Sequence, residues 1–134
     1  MTEKLHGFVE KLKERDASWV ENVVDALGEV TVTVPAGSIV DICDYLKTDH
    51  GFDLLADLCG GDRGPEEDPR FEVNYHLFST GHYSRIRLKV LVAEDDPKID
   101  SVVEIWKTAN WHERETYDLL GIVFEGHPDL RRIL

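Results

Sequence analysis

The sequence predicts an α+β domain in which helices cover one mixed or antiparallel sheet of about four strands. Apolar and polar residues alternate over 29–34 and again over 71–92, which is the period of a half-buried strand. Apolar residues recur at helical spacing near the N-terminus, over 38–47 and near the C-terminus. A length of 134 residues fits one domain spanning 1–134. The predicted order of elements is α-α-β-α-β-β-β-α-α.

The N-terminal region predicts two helices. The first spans 3–14, and its apolar stripe consists of Leu5, Phe8, Val9 and Leu12. Ser18 and Glu21 match a capping box, which predicts that a second helix runs through Leu27. Gly28 then ends that helix.

A strand, a helix and a second strand are predicted next. The strand at 29–34 places Val30, Val32 and Val34 on one face. The helix, at about 38–47, turns four side chains toward the core: Ile39, Ile42, Cys43 and Leu46. The second strand is expected at 52–59. Residues 60–70, rich in glycine, proline and acids, predict a solvated loop.

Residues 71–92 predict a hairpin whose register can be stated. Pairing Val73 with Val90 and Tyr75 with Leu88 places apolar residues opposite each other throughout. The same register puts His76 opposite Arg87 on the outer face. A slip of one residue would turn the basic side chains of the second strand into the core. Each unpaired buried charge would then cost several kcal/mol.

The C-terminal third predicts two short helices. Capping-box patterns at 101–104 and 110–113 predict helices at 102–108 and 111–120, with a corner at Asn110. Gly121 closes the second helix.

The net charge of the chain limits the classes of partner that it is expected to bind. The chain has 27 acidic and 15 basic residues, a net charge of −12. This balance argues against nucleic acid and against an anionic membrane surface as direct partners. The negative charge would favour a basic partner protein. An equally good explanation is that the charge only keeps the protein soluble. The N-terminus lacks the apolar region of a signal peptide, and no stretch approaches the ~18 apolar residues of a membrane span.

The usual motifs of catalysis and cofactor binding are missing. Cys43 and Cys59 sit in apolar contexts, which predicts reduced, buried thiols, and an iron–sulfur cluster would need about four cysteines. His112 and Glu113 do not form a His-Glu-x-x-His motif. No dinucleotide-binding, phosphate-binding or nucleophile motif is visible. We therefore expect no catalytic, cofactor-binding or metal-binding residues in this chain.

The segment 113–118 has two interpretations. In the first, Glu113 completes a capping box, and Arg114 forms an i,i+4 pair with Asp118 worth a few tenths of a kcal/mol. In the second, its charges and the neighbouring aromatic residues contact a partner protein, since arginine and aromatic residues are enriched at interfaces. Composition alone favours the first interpretation.

A resemblance shifts the balance to the second. The C-terminal motif has four parts in fixed order: Glu113-Arg114-Glu115, Asp118-Leu119-Leu120, His127, and Arg131 followed by Ile133-Leu134. Together with the strand at 71–77, it resembles the C-subunit family of respiratory complex I, the 30-kDa-type subunit of NADH:quinone oxidoreductase. The resemblance is specific over 71–134.

The resemblance implies a non-catalytic subunit of the peripheral arm, on the cytoplasmic side of the cell inner membrane. Such a subunit docks against the hydrogenase-large-subunit-like subunit that bears the quinone site. It supports electron transfer from NADH to quinone coupled to proton translocation. The partner subunits would bind NADH, flavin, iron–sulfur clusters and quinone.

Three alternatives stay open at this point. One is the equivalent subunit of a membrane-bound hydrogenase or a deazaflavin-type dehydrogenase. The others are a free-standing protein-interaction domain and a metal-dependent hydrolase.

The partner contacts are expected near the C-terminus. The predicted interface residues are Trp111, Glu113, Arg114, Glu115, Tyr117, Asp118, Phe124, His127, Pro128, Asp129, Arg131 and Arg132.

Overall fold

The computed structural model describes residues 2–128, with side chains from Leu5 onward. Three α-helices lie in that range: α1 (Thr2–Arg15), α2 (Ile39–His50) and α3 (Ala109–Leu120). The strands there are β1 (Asn22–Ala26), β2 (Glu29–Thr33), β3 (Leu54–Asp62), β4 (Phe71–Ser79), β5 (Ser84–Val92), β6 (Lys98–Asp100) and β7 (Val123–Glu125). Short 3₁₀ turns span Ala17–Trp19 and Ala36–Ser38.

Five strands form one mixed sheet in the order β1-β2-β5-β4-β3. Strands β2 and β5 pair in parallel, and the other neighbours in this sheet are antiparallel. Strands β6 and β7 form a separate parallel pair. The α+β prediction is confirmed, with one strand more in the main sheet than the four expected.

The β4–β5 hairpin has the predicted register. Val73 pairs with Val90, Tyr75 with Leu88, and His76 with Arg87. The apolar members of these pairs are fully buried, whereas His76 and Arg87 are only partly buried on the outer face. On that face, Arg87 Nε donates to Thr31 Oγ1 of β2 at 2.9 Å.

The opposite face of the sheet forms the hydrophobic core together with the helices. Helix α1 contributes Leu5, Val9 and Leu12 to the buried cluster. Helix α2 contributes all four side chains predicted for it: Ile39, Ile42, Cys43 and Leu46. The outer face, which includes the row of basic residues on β5, is not part of this cluster.

The second predicted helix, from Ser18 through Leu27, is wrong. Asp16 caps a single 3₁₀ turn by accepting from the Ser18 amide at 3.0 Å, and β1 follows. Leu27 and Gly28 both have positive φ, 54° and 79°. These are the values of a type I′ hairpin turn. Hairpin pairing with β2 therefore prevails over the local capping pattern.

The predicted helix at 102–108 is also wrong. The segment forms turns, in which the amides of Ile105 and Trp106 both donate to the Val102 carbonyl. Helix α3 then starts at Ala109, so Asn110 lies inside it and does not form a capping box with Glu113. Gly121 ends α3 as predicted, with a φ of 75°.

Helix α3 approaches the sheet closely at Gly60. Strand β3 runs on to Asp62, so the loop expected from residue 60 begins later. A Cβ added at Gly60 would lie 2.6 Å from Thr116 Cγ2 and 2.7 Å from Leu120 Cδ1. The absence of a side chain at Gly60 is therefore what lets α3 lie this near to β3.

Candidate partner surface on the third helix

Helix α3 has one face against the sheet and one face outward. Ala109, Glu113 and Thr116 are buried on the sheet side. On the outward side, Trp111 is 52% exposed and Leu119 is 72% exposed, with Glu115 exposed between them. The spacing of i, i+4 and i+8 places these three on one stripe. We call this stripe, with the neighbouring Tyr117, Asp118 and Val123, the α3 surface.

An open groove lies at the C-terminal end of the helix. It has a volume of about 430 Å³ and is lined by Tyr117, Asp118, Gly121 and Val123. Val123 is exposed at its edge. The groove combines apolar side chains with a carboxylate beside the exposed stripe, so the α3 surface offers both an apolar area and a recess.

Glu113 is fully buried and serves the domain's own fold. Its Oε1 accepts from Ser101 Oγ at 2.5 Å, and its Oε2 accepts from the Val102 amide at 2.9 Å. Burial raises the pKa of this carboxyl, while the two hydrogen bonds act in the opposite direction. Glu113 thus fixes the 101–108 segment to α3, and in this conformation it is not part of the exposed surface.

Phe124 is also inside. It pairs with Ile99 across β6 and β7 and is 1% exposed, so the interface prediction for this ring does not match its burial. A ring nitrogen of His127 lies 3.1 Å from the Asn110 carbonyl oxygen, which ties the end of the described chain to the start of α3. Pro128 is exposed.

Arg114 is partly buried beside the outward stripe. Its Nε is buried and has no hydrogen-bond partner within the part of the chain that the structure describes. Asp129, Arg131 and Arg132 lie outside the described residues.

A cluster on the outer face of the sheet was missed from the sequence. Oxygen, sulfur and nitrogen atoms of Asp57, Cys59 and His76 lie within 4.8 Å of one another. Cys59 is only partly buried, contrary to the expectation of two buried thiols, whereas Cys43 is fully buried. Burial raises the pKa of both thiols. The i,i+2 spacing of Asp57 and Cys59 was the available signal, but their pairing with β4 requires the register of β3.

Comparison with known proteins identifies the family. The family described as "Respiratory-chain NADH dehydrogenase, 30 Kd subunit" matches residues 32–134. The chain belongs to this family. A relative named as the C subunit of NADH-quinone oxidoreductase, from Geobacter sulfurreducens (strain ATCC 51573 / DSM 12127 / PCA), is 47% identical over 124 residues, covering 92% of this chain and 76% of the relative. One of the same name from Burkholderia mallei (strain SAVP1) is 42% identical and covers 100% of this chain and 71% of the relative.

Two solved structures share the fold of this family member. One is described as "Nqo5 of the trypsin-resistant fragment (1-134) in P63 form", with a TM-score of 0.80 and 39% identity over 92% of this chain and 98% of that one. The other comes from "the membrane-bound sulfane sulfur reductase (MBS), an archaeal respiratory membrane complex", with a TM-score of 0.78 and 26% identity, covering 92% of this chain and 72% of that one.

Family membership settles the general role. The family is a subunit type of the respiratory NADH-quinone oxidoreductase, complex I, and other subunits of that complex are its partners. The resemblance inferred from the C-terminal motif is confirmed. Among residues 2–128, no helix is both long and apolar enough to cross a bilayer.

Proposed function

We propose that this chain is a non-catalytic peripheral-arm subunit that docks through its α3 surface against the quinone-site subunit of NADH:quinone oxidoreductase. The observation that carries the proposal is the outward stripe of α3, where Trp111 and Leu119 stay exposed next to an open groove. In this role the chain supports electron transfer from NADH to quinone coupled to proton translocation. Its partners hold NADH, flavin, iron–sulfur clusters and quinone, and they keep it at the cytoplasmic side of the membrane.

The exposed side chains favour an interface energetically. Full burial of a leucine or a larger apolar side chain contributes about 1.5–3 kcal/mol, and more than half of the area of Trp111 and of Leu119 remains to be covered. Tryptophan is enriched among residues that dominate binding energy. Glu115 and Asp118 supply the polar rim that surrounds such a core.

The unpaired Nε of Arg114 adds a charge argument. A buried guanidinium N–H without an acceptor costs free energy, and rotation of the partly buried Arg114 side chain toward a neighbour's carboxylate would satisfy it. An acidic group of the quinone-site subunit facing Arg114 fits this position. Asp129, Arg131 and Arg132 belong to the same proposed contact region by resemblance.

A second candidate is the equivalent subunit of another membrane-bound respiratory complex. The likeness to the sulfane sulfur reductase structure is the observation in its favour. At 26% identity, that likeness is weaker than the 47% identity to the NADH-quinone oxidoreductase relative from Geobacter sulfurreducens. The proteins that co-purify with the tagged chain separate the two candidates.

The test is a double substitution, Trp111→Ala with Leu119→Ala, in the full chain. We expect the melting temperature of the isolated chain to change by no more than about 2 °C, since exposed side chains contribute little to folding. The amount of complex recovered with the tagged chain from membranes, and its NADH:quinone activity, should fall together. Two hot-spot losses of about 1–2 kcal/mol each weaken binding at least tenfold.

Leu27→Ala is the matched control. Leu27 is fully exposed at the β1–β2 turn, far along the chain from α3. Its φ is positive, and alanine at this position would adopt the same φ. It should leave assembly and activity unchanged. Normal assembly of the Trp111/Leu119 variant would place the interface elsewhere.

A parallel variant, Arg131→Ala with Arg132→Ala, should likewise lower assembly while leaving the melting temperature nearly unchanged.

A further inference from the structure

Three potential metal ligands meet on the outer face of the sheet. Asp57 and Cys59 are two residues apart on β3, so their side chains leave the strand on the same face. His76 pairs directly with Asp57 across β3 and β4, and Cys59 pairs with Asn74. All three therefore stand on paired strands, where the backbone fixes their relative positions.

We propose that Asp57, Cys59 and His76 form a binding site for a divalent transition metal of the zinc class. A carboxylate, a thiolate and an imidazole are the donor types that zinc takes in proteins. Magnesium and calcium prefer oxygen ligands alone, so the sulfur and nitrogen donors select against them. The site goes beyond the docking role and does not depend on it.

The distances are compatible with closure around an ion. The ligand atoms lie within 4.8 Å of one another. Tetrahedral zinc, with bonds of about 2.0–2.3 Å, sets its ligand atoms about 3.5 Å apart. The required contraction is about 1 Å or less for each side chain, which rotation about side-chain bonds supplies without movement of the strands.

The charges around the cluster suit a cation. Three carboxylates, those of Asp57, Glu72 and Glu115, give the surroundings of the Cys59 thiol a negative potential. The Arg87 guanidinium has the opposite effect. Binding breaks the S–H bond of Cys59, and the proton goes to solvent while the sulfur electron pair joins the metal. Thiolate and carboxylate then neutralise the dication, with no redox change.

Helix α3 supplies a supporting contact. His112 Nδ1 lies 3.4 Å from Asp57 Oδ1. Partners of this kind, placed behind a ligand, orient it toward the metal. The Asp57 side chain is 51% exposed, so solvent can occupy a fourth position. The proposed site therefore has three protein ligands and one open coordination position.

The experiment uses the full chain, freed of metal with a chelator and titrated with Co²⁺ as a spectroscopic probe, followed by Zn²⁺. We expect one equivalent of Co²⁺, with a thiolate-to-cobalt charge-transfer band and the visible absorption of a tetrahedral ion. One equivalent of Zn²⁺ should remove both signals. Cys59→Ser should abolish the charge-transfer band, and His76→Gln should weaken binding at least tenfold.

The controls separate this site from scattered binding. His6→Gln removes an exposed histidine of α1 that lies next to Asp25 and outside the cluster, so it should leave the titration unchanged. If Cys59→Ser does not fold, as judged by circular dichroism, Asp57→Asn replaces it and should weaken binding at least tenfold. Binding that is equally tight in wild-type chain and in a folded Asp57, Cys59 or His76 variant would overturn the proposal. So would the lack of a stoichiometric equivalent. Neither result affects the α3 surface, because Trp111 and Leu119 are not ligands.

Discussion

Replacing Gly60 with alanine should test the close approach of α3 to β3. The new Cβ would lie 2.6 Å from Thr116 Cγ2 and 2.7 Å from Leu120 Cδ1. Ordinary carbon–carbon contacts begin near ~3.5 Å. The helix must therefore move outward by close to ~1 Å, or the side chains must leave their preferred rotamers.

The magnitude follows from two opposing effects. Overpacking of this kind costs about 1–3 kcal/mol. Alanine also restricts the unfolded chain more than glycine does, which returns about 0.4–1 kcal/mol. We expect a net loss of about 1–2 kcal/mol, or roughly 3–8 °C in melting temperature for a domain of this size.

The assay is thermal and urea unfolding of four proteins: wild type, Gly60→Ala, Thr116→Ser and the double variant. Thr116→Ser removes the nearer methyl group, while the Leu120 methyl ends a flexible side chain and can rotate away. The double variant should be more stable than the sum of the single changes predicts, by about 1 kcal/mol. Gly37→Ala is the control, because nothing lies within 4 Å of its added Cβ. Additive losses, or wild-type stability in Gly60→Ala, would refute the reasoning.

Three further predictions concern stability. Gly7 lies in the exposed middle of α1, and nothing lies within 4 Å of a Cβ added there. Gly7→Ala should therefore raise the free energy of unfolding, measured by urea titration, by about 0.5–1 kcal/mol. A decrease would contradict this prediction. Glu113→Gln should alter the pH dependence of stability. Because burial raises the folded pKa above the ordinary 4.5, the stabilisation linked to the Glu113 proton is complete below about 4.5 and lost as the pH rises through the folded pKa. Glutamine has no such proton, so the variant should gain stability relative to wild type over that window, and identical pH profiles would contradict the assignment. Glu113→Ala should lose about 1–3 kcal/mol at all pH values, because the Val102 amide is left unpaired.

The β4–β5 hairpin could be predicted from the sequence because its information is local. Alternation over nine residues in each strand fixes which side chains face inward. The register that joins Val73 to Val90 pairs apolar with apolar along both strands, and a slip of one residue would not. Helix α2 was predictable for the same reason, since its four core residues repeat at helical spacing.

The errors arose where distant contacts decide the structure. Residues 101–104 match a local capping pattern, yet Ser101 and Val102 donate their hydrogen bonds to Glu113, which reaches them from α3. Strands β6 and β7 have three residues each, too few to show a period. The capping pattern of Ser18 and Glu21 precedes β1, and the turn at Leu27 and Gly28, which pairs β1 with β2, overrides it.

The candidate surface was partly predictable. Trp111, Glu115 and Leu119 share one stripe by spacing alone, although Leu119 was not among the expected contacts. The burial of Glu113 and Phe124 depends on packing against the 101–108 segment and β6, which no local pattern reports. The Asp57, Cys59 and His76 cluster depends on the β3 register, which includes an irregularity after Leu55.

The parallel pairing of β2 with β5 has a consequence for the order in which the chain folds. Thr31 pairs with Arg87, so this contact closes a long loop, whereas β4 and β5 are joined by a short turn. Loop-closure entropy delays distant pairings, and we expect the β4–β5 hairpin to form first. During synthesis, β1 and β2 leave the ribosome early but find their place only after residue 92 has emerged. Until then, the edge of β2 that pairs with β5 has no partner strand, and an unpaired strand edge makes a nascent chain prone to aggregate.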